Sequence, residues 1–149
     1  MDALERRLAS HTLVGLDTSI FIYHLEAHPT YLPLTKTLLA GIQSGRMSGV
    51  SSVITVMELT VQPWRQQKSV AAREYEAFLA YFPYLQLVDT TRSIARSAAR
   101  LRAIYNLRPA DALQVATAYH HQATAFVTND AQLRRLSSLL DVIILDDFV

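Results

Sequence analysis

Of four notable acidic residues, three stand where the chain changes from one kind of segment to another and one sits inside a helical stretch. Asp17 follows the short apolar run Thr12-Leu13-Val14-Gly15-Leu16. Glu58 sits inside Val53-Ile54-Thr55-Val56-Met57-Glu58-Leu59, Asp111 just after Pro109, and Asp130 just after Val127-Thr128-Asn129. Each has an ordinary structural use. Thr55-x-x-Glu58 fits a capping box. Asp111 suits the first turn of a helix, where the dipole favours negative charge. Asp17 and Asp130 each suit an N-cap. Taken together they suggest chemistry. An acid in as apolar a stretch as 53–59 implies a largely buried helix and needs a partner. No lysine or arginine occurs in the nine positions after Asp17, and the chain has only two lysines, Lys36 and Lys68. Two carboxylates ~4 Å apart repel by about 4 kcal/mol at an effective dielectric of ~20. Four that converge therefore call for a counter-charge. An all-oxygen, carboxylate-rich site suits Mg²⁺, with Mn²⁺ as the substitute. Such a site activates water and steadies a phosphoryl oxygen.

Convergence depends on the elements that carry the acids. The pattern predicts a helix over 2–9, a buried strand over 12–16, helices over 19–27 and 31–44, and a strand over 46–50. A helix over 52–61 ends before Pro63. An amphipathic helix follows over 71–82, with Ala71, Tyr75, Phe78 and Phe82 on one stripe. Next come a strand over 85–88, a helix over 91–105 capped by Asp89, Thr90 and Thr91, and a helix over 109–121 opened by Pro109. A strand over 125–127, a short helix over 131–138 and a strand over 142–145 complete the series. Strands alternating with helices predict a three-layer αβα domain, residues 1–149, around a mostly parallel sheet. In such sheets ligands bind beyond the carboxyl ends of the strands, where the strand order reverses. Asp17 and Asp130 meet there if the first and fourth strands are neighbours. Asp141, Asp146 and Asp147 read as solvated.

These segments resemble a known family. Leu16-Asp17-Thr18-Ser19, Val56-Met57-Glu58-Leu59, Pro109-Ala110-Asp111-Ala112-Leu113-Gln114-Val115-Ala116-Thr117-Ala118 and Val127-Thr128-Asn129-Asp130 occur in the order and spacing of the PIN-domain nucleases. Within that family the chain is similar to small toxins of the VapC type. The resemblance covers nearly the whole chain. It implies a five-stranded parallel sheet of order 3-2-1-4-5 and Mg²⁺- or Mn²⁺-dependent cleavage of RNA, leaving a 3′-hydroxyl and a 5′-phosphate. Asp17, Glu58, Asp111 and Asp130 match its four acidic positions. Thr18, Ser19, Thr128 and Asn129 match the flanking polar positions that would orient carboxylates or water. The resemblance also implies an antitoxin whose tail enters the acidic pocket, and a homodimer, for which the 71–82 stripe is one candidate face. One departure stands out: many small toxins of the family place the first Asp within a few residues of the start, whereas sixteen residues precede Asp17.

An RNA substrate must also be held. Arg92, Arg96 and Arg100 recur at helical spacing opposite the apolar stripe and can track phosphates, or simply form a solvated face. Arg108, Arg65 and Trp64 are further candidates, Trp64 as a stacking platform or as core or interface. Twelve of the 14 basic residues are arginine, in a chain of net charge +1. The total charge therefore carries no nucleic-acid signal. A PIN-like module that only binds a partner protein is the alternative reading, and the presence of all four acids speaks against it. A third reading, aspartyl phosphotransfer, fits worse: position 19 is Ser where the phosphatase motif needs Asp, and no lysine follows Lys68. His120-His121 do not share a helix face and read as a surface pair; the tyrosines and phenylalanines read mostly as core. Without cysteine there is no disulfide framework and no thiol nucleophile. At 149 residues, half of them hydrophobic, the chain can bury a real core. No apolar run reaches membrane-span length and the N-terminus lacks a signal-peptide core, so a cytoplasmic protein is expected.

Overall fold

The computed structural model describes all 149 residues. Five parallel strands form one sheet: β1 (Leu13–Leu16), β2 (Ser48–Ser52), β3 (Leu85–Val88), β4 (Ala125–Thr128) and β5 (Asp141–Ile144), in the order β3-β2-β1-β4-β5. Seven α-helices surround it: α1 (Ala3–Leu8), α2 (Thr18–Leu25), α3 (Leu32–Gln43), α4 (Ile54–Arg65), α5 (Ser69–Tyr81), α6 (Arg92–Tyr105) and α7 (Pro109–His120). Two 3₁₀ turns, Ala131–Leu136 and Leu145–Phe148, flank β5. The expected three-layer fold and strand order are the observed ones. No helix is long and apolar enough to cross a membrane.

Side-chain alternation along the strands divides the core in two. Val14 and Leu16 of β1, with Ala125 and Val127 of β4, face α1 to α5, where Leu4, Ile20, Phe21, Leu38 and Leu79 are buried. Phe126, Val142 and Ile144 face the opposite way, against Ile94 of α6 and Val115 of α7. Gly15 lies between Val14 and Leu16 and faces α7. A Cβ there would stand 2.5 Å from the Ala118 Cβ and 2.8 Å from the Phe126 Cδ1, so the missing side chain lets α7 settle on β1.

Several boundaries differ from the sequence expectation, each for a local reason. β2 begins two residues later than expected, because Gly45 (φ +80°) and the bonds Gly45 N–H to Ile42 O and Arg46 N–H to Gly41 O close α3. It then runs through two buried serines: the Ser51 hydroxyl donates to Leu16 O and the Ser52 Oγ accepts from Ile54 N–H. α4 does not stop before Pro63 but carries it in the last turn with the ring buried. Near a helix end the lost bond interrupts little that follows. The expected helix 131–138 is a 3₁₀ turn. Thr91 alone caps α6, accepting from Ile94 N–H. Asp141 is paired with Arg7 and His11, Asp146 accepts from the Tyr31 hydroxyl, and Asp147 pairs with Arg134, so none of the three is simply solvated. Among the aromatics only Phe21 and Phe126 are fully buried; Tyr81, Tyr84 and Tyr119 are exposed.

Candidate functional site

Strand order reverses between β1 and β4, and their register places Leu16 opposite Val127. The next residue, Asp17, donates its N–H to Val127 O. Its extended backbone (φ −73°, ψ 155°) makes it the N-cap of α2. One carboxylate oxygen accepts from Thr18 N–H at 2.8 Å and the other from the Thr128 hydroxyl at 2.6 Å. Asp130, just past β4, caps the following 3₁₀ turn through Gln132 N–H, while its own N–H donates to Thr128 Oγ1. Asp111 lies in the first turn of α7, as Pro109 at its start requires. The capping roles of Asp17 and Asp130 are thus real, and the caps themselves aim both acids at the rim where α7 begins.

A cleft of about 640 Å³ opens at this rim. Asp17, Ser19, Asp111, Asn129 and Asp130 line it, with Arg108 and Arg135 at its edge. Asn129 is braced on both sides: its amide donates to the Tyr23 hydroxyl and its Oδ1 accepts from Asp146 N–H.

Glu58 sits beside the cleft, not in its lining. The Thr55–Glu58 capping box does not form: Val53 is the N-cap of α4 and carries no side-chain cap. Thr55 is fully buried, and its hydroxyl lies 3.1 Å from that of Thr18. The Gln114 amide nitrogen stands within hydrogen-bonding reach of three acceptors: Thr55 Oγ1 at 2.8 Å, Thr18 Oγ1 at 3.0 Å and Glu58 Oε1 at 3.3 Å. Thr18 in turn donates to Glu58 Oε1 at 2.7 Å. Gln114 therefore organises Glu58 from beneath, a role the sequence reading did not assign. The available signal was a polar side chain one turn after Asp111 in an otherwise apolar helix. The expectation that the 53–59 helix is largely buried does not hold. Met57 is 60% exposed and Val61 and Trp64 also face outward, because only one stripe of α4, Thr55, Leu59, Thr60 and Pro63, is buried.

Electrostatics follow from this placement. Burial pushes the Asp17 carboxyl up from 3.8 to about 6; bonds from Thr128 and Thr18 oppose the rise, and the charges of Asp111 and Glu58 add to it. Asp111 is also raised, first by burial, with Arg108 opposing and Asp130 and Glu58 reinforcing. Asp17 thus lies in the fields of Asp111 and Glu58, and Asp111 in those of Asp130 and Glu58. No three of them form a ready-made metal cage. The donor set still fits Mg²⁺, which keeps several waters and binds through one or two carboxylates. The Ser19 hydroxyl is buried at the cleft without a hydrogen-bond partner, so one more oxygen is available there.

The expected RNA-binding arginines divide by position. Arg108 is at the cleft; Arg92, Arg96 and Arg100 are exposed on α6 and outside its lining. Arg135, unassigned from sequence, is at the edge. Trp64 is 51% exposed on α4 and also outside. The 71–82 stripe is half-buried, with Tyr75, Phe78 and Phe82 packed on the protein's own core.

Comparison with known proteins agrees with this fold. The PIN-domain family model matches residues 14–139. The chain belongs to the PIN-domain family. A comparison with curated protein sequences finds no match. Among solved structures, this PIN domain is similar to VapBC2 from Rickettsia felis bound to a DNA fragment from its promoter, at 18% identity and a TM-score of 0.67, over 87% of this chain and 96% of that one. It is also similar to a toxin–antitoxin complex from Klebsiella pneumoniae (21% identity, TM-score 0.64, 90% and 97% covered). FitAcB from Neisseria gonorrhoeae aligns at 19% identity and a TM-score of 0.64, over 89% and 97%.

Proposed function

We propose that this PIN domain is a divalent-metal-dependent endoribonuclease, the toxin of a cytoplasmic toxin–antitoxin pair. The observation that carries the reading is the convergence of Asp17, Asp111 and Asp130 on one cleft at the strand-order reversal, with Glu58 held beside it. PIN domains are in general divalent-metal-dependent nucleases, and the similar solved structures include toxin–antitoxin complexes. They support an antitoxin as the partner of this chain, and a homodimer is its proposed resting assembly.

Asp17, Asp111 and Asp130 would hold Mg²⁺ or Mn²⁺. The bound cation would lower the pKa of a water and stabilise charge on the leaving oxygen of the phosphodiester. Thr128 and the Thr18 N–H keep Asp17 in one rotamer, and Ser19 and Asn129 face the same space. Glu58 Oε1 is occupied by Thr18 and Gln114, which leaves Oε2 to orient the attacking water. Attack would form the water oxygen–phosphorus bond and break the bond to the 3′ oxygen; the proton given up by the attacking water would pass to solvent, and the leaving 3′ oxygen would take one back from solvent. Asp17→Asn and Asp111→Asn should each abolish RNA cleavage in Mg²⁺ and Mn²⁺ while leaving the fold intact by circular dichroism. Full activity in either variant would refute the assignment. An inactive wild-type protein that binds a partner protein tightly would instead favour a binding module.

A further inference from the structure

Arg108 lies at the mouth of the acidic cleft on a fixed base. Leu107 before it is buried, and its carbonyl accepts from the Arg102 Nε. Pro109 after it starts α7 with a locked φ. The backbone at Arg108 is thereby held while its side chain remains 81% exposed. The guanidinium reaches two of the three cleft aspartates: Nε stands 3.3 Å from Asp111 Oδ2 and Nη2 3.9 Å from Asp130 Oδ2. Both contacts are long and single. Elsewhere the same chain builds a two-pronged Arg–Asp pair, Arg134 to Asp147 at 2.8 and 2.7 Å. Arg108 is thus near enough to offset the negative charge of the cleft and too loosely bound to be a structural clamp. The same two carboxylates belong to the donor set assigned above to a divalent cation.

We infer that Arg108 is a displaceable counter-ion of Asp111 and Asp130: it neutralises them when no divalent cation is bound and is released when one binds. The inference rests on the metal reading of the cleft. It has two consequences. Arg108 lowers the apparent cation affinity, because its contacts must break first. Once released, the guanidinium stands at the mouth of the cleft, where a substrate phosphate would approach.

The direct test is Mn²⁺ binding measured by electron paramagnetic resonance of the free ion, without RNA. Arg108→Gln should bind Mn²⁺ roughly two- to fivefold more tightly than wild type, the scale of a loose, exposed ion pair. Arg100→Gln makes the same charge change on α6 and should leave the affinity unchanged. Equal or weaker binding by Arg108→Gln overturns the inference alone. Absence of Mn²⁺ binding in both wild type and Arg108→Gln overturns the metal reading and the inference with it. A second measurement needs no variant. In wild type the Arg108 Nε–H resonance should shift, and its exchange with water quicken, on titration with Mg²⁺. A resonance that stays unmoved while Mg²⁺ binds would also refute release.

Discussion

Asp17 is the residue at which pH would meet the proposed metal. Its carboxyl is ordinary at 3.8 in the unfolded chain and rises to about 6 in the fold, chiefly by burial. The folded state therefore holds this proton more tightly. The stability linked to it is fully present below about pH 4 and is lost as pH rises through about 6, a difference of about 3 kcal/mol. Asp111, also raised, acts in the same direction. Asp141 and Asp147, held low by Arg7 and Arg134, act oppositely and only at more acidic pH. In EDTA the melting temperature should fall between pH 4 and 7, and Asp17→Asn should flatten that fall. Mn²⁺ affinity should climb over the same window, since the cation competes with the proton.

At the scale of elements, the site depends on how α7 is set against β1 and α4 against α7. Gln114 lies in α7 and touches Thr18 at the start of α2 and both Thr55 and Glu58 of α4. Replacing it with Leu leaves those oxygens without their shared donor, at a cost of about 1–3 kcal/mol. Chemical denaturation should show that loss, and cleavage should drop about tenfold or more, because Glu58 loses one of its two anchors. Gly15→Ala tests the seat of α7 directly. Its Cβ would need to share space with Ala118 and Phe126, costing about 1–3 kcal/mol as overpacking. A midpoint of denaturation equal to wild type would show that α7 is not held against β1 as described.

Over the whole molecule, a net charge of +1 says little about nucleic acid; the distribution of charge says more. Many arginines are spent on the fold: Arg7 on Asp141, Arg134 on Asp147, Arg102 on the Leu107 carbonyl. Arg135 bonds the Gln132 carbonyl through Nε and brings its guanidinium to the cleft edge. Arg135→Ala should weaken RNA binding in the inactive Asp17→Asn background and reduce the salt slope by about 1. Arg96→Ala on the outer face of α6 should change neither. Equal effects of the two variants would move the RNA path onto α6.

The sequence alone determined the alternation of strands and helices, the parallel sheet, and the placement of Asp17, Asp111 and Asp130 at segment boundaries. These depend on period, apolar run length and local punctuation by Pro109 or Gly45, all carried by neighbours in the chain. The residues also carried the likeness to PIN domains, because Asp111 to Ala118 and Thr128 to Asp130 are short contiguous motifs. Only the tertiary structure decided which arginines reach the cleft, that Gln114 supports Glu58, and that Thr55 binds Thr18 rather than capping its own helix. The Gln114 and Thr55 contacts join residues 37 to 96 positions apart, which no local pattern encodes. They are set by how closely α7 can approach β1 and by which stripe of α4 turns inward.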